Sequence, residues 1–137
     1  MDAADGFVEL VNFSDRPVDL SGWTLVNGPT VVTLPRATAL APGQPLVVAR
    51  NAAALRTRFG AVPAVVELPG LTLDARRGTL ELRRSGKAVD AVAWGTPDWS
   101  LDGKAPLCRL NPGKDTDTLL DWNPADKASP GIAGCGE

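Results

Sequence analysis

No histidine and no tyrosine occur among the 137 residues, and cysteine occurs only twice. Histidine is the side chain whose ordinary pKa lies near neutrality, and it is the commonest transition-metal ligand. Its absence removes the usual general base, and with it the usual means of activating a serine. No serine stands in a Gly-x-Ser-x-Gly setting either. Carboxylates alone remain for acid–base work. Glu9 and Glu81 fall on expected strands, and no carboxylate lies in an apolar stretch of the kind that raises its pKa. Long hydrophobic runs are missing too, since no segment approaches the roughly 20 apolar residues of a membrane span. Met1-Asp2-Ala3-Ala4-Asp5 carries neither the basic nor the apolar region of a signal peptide. Taken literally this reads as cytosolic; the other reading is a piece cut from a longer chain, with Met1 added for expression. A formal net charge of −2 leaves no electrostatic footprint for nucleic acid in the total.

The two cysteines, Cys108 and Cys135, sit in polar, Gly/Pro-rich surroundings rather than in apolar runs. A bridge between them would close the C-terminal tail onto the body, worth about 3–4 kcal/mol on the chain-entropy model. We expect that bridge over two unrelated thiols, and with it an extracellular, periplasmic or cell-surface location.

What is present points to short strands. Hydrophobic residues make up 44%, ample for one folded domain spanning 1–137. Fourteen glycines and twelve prolines are spread along the chain, which suits many strands joined by turns. Phe7, Glu9 and Val11 alternate with Val8, Leu10 and Asn12, the period of two of a β-strand. Ser14-Asp15-Arg16-Pro17 breaks that run, Val18 to Gly22 follows, and Trp23 opens a second strand. Asn27-Gly28-Pro29 signals a hairpin to Val31–Leu34, with Pro29 expected to widen the loop. Leu46–Arg50 is nearly all apolar, as for a strand covered on both faces, and Pro45 can stand only at its start. Asn51 through Phe59 reads as the one helix, with Asn51 as N-cap, Leu55 and Phe59 on one face and Gly60 as the stop. Val65–Leu68, Thr79–Arg83 and Val89–Trp94 read as further strands, and Leu71–Leu73 as an irregular edge. From residue 101 to 137 an irregular tail is expected, with one short strand at Leu107–Leu110. The fold class that follows is all-β, an antiparallel sandwich with one short helix.

The unit Phe7–Asn12 with Ser14, then Val18-Asp19-Leu20-Ser21-Gly22-Trp23, resembles the lamin tail domain. That is the immunoglobulin-like module of nuclear lamins, found also in many bacterial and archaeal proteins. Leu40–Gly43 before Leu46–Ala49, Gly78 with Leu80–Leu82, Asp90–Gly95 and Ser129-Pro130-Gly131 continue the likeness through nearly the whole chain. The resemblance implies an immunoglobulin-like sandwich with Trp23 at its centre, in a core with Leu10, Leu25, Val47, Leu82 and Trp94. Prokaryotic relatives usually begin one strand earlier, so the resemblance also implies an open sheet edge here.

Three constellations could carry chemistry. Asp115, Asp117 and Asp121, with Asp126 further on, are the metal candidates. Calcium takes carboxylate and carbonyl oxygens and needs no histidine, although turn capping by these residues is the stronger reading. Trp99 and Trp122 could present flat rings to a carbohydrate or peptide, or pin the tail. Arg76, Arg77, Arg83 and Arg84 surround one hairpin, but Asp74, Glu81 and Asp90 dilute them. The expected function is a non-catalytic interaction or structural module of a larger secreted or cell-surface bacterial protein, bound to a protein or cell-envelope component. No cofactor is expected unless calcium. The rivals are a calcium-stabilised adhesion or carbohydrate-binding module, an enzyme built on carboxylates, and a nucleic-acid-associated accessory domain.

Overall fold

The computed structural model describes residues 6–62, 64–73 and 78–94 in full, and 107–109 and 122–124 as backbone. Two sheets dominate. The first has the order β1 (Phe7–Val11), β6 (Pro45–Ala49), β7 (Val65–Glu67). The second has the order β4 (Thr30–Thr33), β3 (Thr24–Asn27), β8 (Gly78–Arg84), β9 (Lys87–Trp94). Two short ladders complete the set. One joins β2 (Val18–Asp19) to β5 (Ala39–Leu40), the other β10 (Leu107–Arg109) to β11 (Trp122–Pro124). Trp122–Pro124 is thus a strand inside a stretch expected to be irregular. No described helix is long and apolar enough to cross a membrane.

Among the described residues all the pairings are antiparallel except β6 with β7. A parallel pair needs a crossover of about a dozen residues or more, normally helical. Helix α1 (Ala52–Phe59) supplies it. Its start is fixed by Asn51, whose side-chain oxygen accepts from the Ala54 N–H at 2.9 Å. Its end is fixed by Gly60, which takes a φ of 78° and donates its N–H to the Arg56 carbonyl. With about two turns the helix cannot hold by propensity alone. Leu55, fully buried beneath it, does the anchoring.

β6 is the wall between two cores. Leu46 and Val48 face the second sheet and pack with Leu25, Val32, Leu34, Leu40, Leu80 and Trp94. Val47 and Ala49, the alternate residues, face the helix with Leu55 and Val62. Phe7 and Phe59 close that smaller core edge-to-face, centroids 5.8 Å apart.

Four details differ from what the sequence suggests. Trp23 is not the interior pillar: it is partly buried at the rim, with the Arg84 guanidinium 5.8 Å over its ring. The buried indole is Trp94, 7% exposed, which lies over Gly78. Pro29 does not widen its loop. Asn27 pairs directly with Thr30, leaving a two-residue turn in which Gly28 takes a φ of 56° and Pro29 the fixed negative one. Leu71 is no edge residue: it is 2% exposed and belongs to the larger core, while the segment around it forms no strand. Of the other expected core residues, Leu25 and Val47 are buried, and Leu10 and Leu82 pack partly buried against the larger core.

Candidate functional site

Side-chain polarity in the described residues goes largely into holding corners. Asn12 is 7% exposed, and its Nδ2 donates to the carbonyls of Arg16 and Leu40 at 2.8 and 2.9 Å. Its Oδ1 accepts from the backbone N–H and the hydroxyl of Ser14. One amide therefore ties the end of β1, the polar corner and β5 together, with its donors and acceptor used. Asp19 accepts from both the hydroxyl and the N–H of Ser21. The Ser21 hydroxyl bond and then the backbone bond hold the Asp19 carboxyl below its ordinary pKa. The Ser21 oxygen in turn accepts from the Thr38 N–H, and the buried Thr38 hydroxyl donates to the Pro35 carbonyl. Glu67, on β7, accepts from the Ala52 N–H at the helix start, where negative charge is favoured.

The expected site residues fall apart on this frame. Asp115, Asp117, Asp121, Asp126, Trp99, Cys135, Arg76 and Arg77 lie outside the described residues, as do the side chains of Trp122 and Cys108. Among the described residues no group of three or more Cys, Asp or Glu side chains converges to hold a metal. Arg83 is spent on Glu81: its Nε and Nη2 both reach Glu81 Oε2 at 2.5 Å. Arg84 is turned onto Trp23. Among the described residues, the Arg83–Arg84 end of the hairpin is accordingly a mixed surface.

What remains is a face. On the outer side of the second sheet the registers align Val31, Val26, Glu81 and Ala91 in one row, and Thr33, Thr24, Arg83 and Ala88 in the next. Six of these eight residues are Thr, Val or Ala, and the two charges neutralise each other. Val31 is 59% exposed at one end of its row. At the other edge a bulge makes Asp90 face Leu82 and Ala88 face Arg83, so Val89 between them is unpaired and 51% exposed. A face on which short uncharged side chains surround one neutralised pair can meet another protein surface at modest cost in desolvation and side-chain entropy. Nothing in the pattern of the sequence separates it from an ordinary solvated strand face until the register is known.

A family model described as Lamin Tail Domain matches residues 1–96. This chain belongs to the lamin tail domain family. The match takes in both sheets, the helix and the corner residues Asn12, Asp19 and Ser21. The family is one of non-enzymatic, immunoglobulin-like domains, in agreement with the strand architecture described above. A comparison with curated proteins returns no match.

Proposed function

We propose that this lamin tail domain is a non-catalytic docking module of a larger secreted or cell-surface bacterial protein. In this reading it holds its parent chain to a protein of the cell envelope and needs no cofactor. The observation that carries it is the outer face of the β4-β3-β8-β9 sheet, with its rows of Thr, Val and Ala around one internal ion pair. Solvated sheet faces are ordinarily polar, in alternation with the buried side. Here half of the eight aligned residues are Val or Ala, the only two charges neutralise each other, and exposed Val31 and Val89 border the rows. Family membership supports the absence of chemistry, and the polar groups of the described corners are occupied in holding the fold.

The test uses the purified chain and envelope fractions of the organism that makes it. Saturable co-sedimentation is expected, competed by excess unlabelled chain and lost in Val31→Glu with an unchanged melting temperature. Equal retention of Val31→Glu would exclude the outer face as the contact. Absence of saturable retention in both proteins would end the docking reading altogether.

A further inference from the structure

We infer that Asn27 is a site of spontaneous deamidation, and that the fold controls its rate through one hydrogen bond. Of the five asparagines, only Asn27 precedes a glycine. Glycine at the following position leaves its backbone nitrogen sterically free to approach the asparagine side chain. Gly28 is exposed at the tip of the β3–β4 turn, in the left-handed region, and a Cβ built there would meet nothing within 4 Å.

The chemistry requires only water. The Gly28 nitrogen attacks Asn27 Cγ and gives up its proton to solvent, so that a C–N bond forms. The Cγ–Nδ2 bond breaks, and Nδ2 leaves as ammonia after taking a proton. Water then opens the cyclic imide at either carbonyl. Opening at Cγ leaves an aspartyl residue at position 27, and opening at the main-chain carbonyl leaves an isoaspartyl one.

In the folded chain that attack is opposed. Asn27 Nδ2 donates to the main-chain oxygen of Thr72, forty-five residues away. Asn27 is also held in the β3–β4 ladder opposite Thr30, whose hydroxyl lies 3.5 Å from that of Thr72. The Thr72 segment is itself pinned by Leu71, which is buried in the larger core, and by the bond from the Leu71 N–H to the Leu68 carbonyl. The amide therefore serves as a clasp between the hairpin and the 68–73 segment. Deamidation replaces its donor with a carboxylate that faces a carbonyl oxygen, and the clasp opens. The isoaspartyl product also adds a main-chain carbon at the end of β3.

The experiment follows the intact chain at mildly alkaline pH by peptide mapping and isoaspartyl detection, folded and in urea. Modification is expected at Asn27 and not at Asn12 or Asn51. It should be at least about tenfold slower in the folded chain, as for a reaction that needs local opening. Leu71→Ala, which loosens the clasped segment, should speed the reaction in the folded state, and Asn27→Asp should lower the melting temperature. Equal rates in the folded chain and in urea would overturn the inference, as would no reaction in urea. Should Leu71→Ala fail to fold, Asn27→Asp decides: an unchanged melting temperature would show that the bond to Thr72 holds nothing.

Discussion

The two sides of β6 make an instructive contrast. On one side Leu46 and Val48 face a second sheet, and the space is walled by ladders of fixed spacing. On the other, Val47 and Ala49 face a single helix of two turns, attached through Leu55 and closed by the Phe7–Phe59 pair. A sheet cannot move inward to fill a gap without breaking its register, whereas a short helix can tilt or slide. The same buried leucine should therefore be worth more between the sheets than beneath the helix.

The sharpest test is Leu25→Ala. Leu25 is 2% exposed between two walls that cannot collapse, so chemical denaturation should show a loss of about 4 kcal/mol, near the upper end for such substitutions. Gly78→Ala attacks the same core by overfilling it. The added carbon would fall 2.6 Å from Trp94 Cζ2, and about 2–3 kcal/mol should be lost, with a change in indole fluorescence as the ring is displaced. Leu55→Ala on the helix side should cost about 2 kcal/mol, because α1 can settle into the space. A cost equal to that of Leu25→Ala would break the comparison. Asn51→Ala removes the helix cap and should cost about 1 kcal/mol, with helix amides exchanging sooner than those of the second sheet. The smallest effect belongs to Asp19. Its folded pKa lies below the unfolded one, so its contribution is present above the ordinary carboxylate pKa and fades as pH falls through the lowered folded value. Asp19→Asn should remove that part of the acid-side slope of stability against pH and cost a small amount of stability at neutral pH, where the carboxylate is ionised.

The parts of the fold that the residues announce in advance are those written in local pattern. The apolar run Leu46–Ala49 foretells a strand covered on both faces, and Asn51 with Gly60 marks the helix limits. Alternation marks Thr79–Arg83 as a strand. The β2–β5 ladder pairs only Val18 and Asp19 with Leu40 and Ala39, too short for any period to reveal. Its place depends on Asn12 reaching the Leu40 carbonyl twenty-eight residues away. The exchange of roles between Trp23 and Trp94 has the same origin. Each stands at one end of an apolar strand pattern, but only the β8–β9 register sets Trp94 opposite Gly78, where a missing side chain leaves room for an indole. Leu71 lacks any neighbouring periodicity, and its burial follows from the chain folding back beneath β4, where Val32 Cγ1 lies 3.2 Å from a Cβ built on Gly70. The outer face of the second sheet was hidden for a related reason: its two rows are assembled across four strands and correspond to no contiguous motif.

The irregular step at Val89 bears on how many copies of this domain can be crowded together. Among the described residues β9 is the longest strand and the outermost of its sheet. An uninterrupted margin of eight residues would be a template for a foreign strand to zip onto. The extra residue throws the hydrogen-bonding phase out partway along, so an incoming strand that matches one half cannot match the other. Copies of this domain can therefore be crowded together without seeding fibres from that margin.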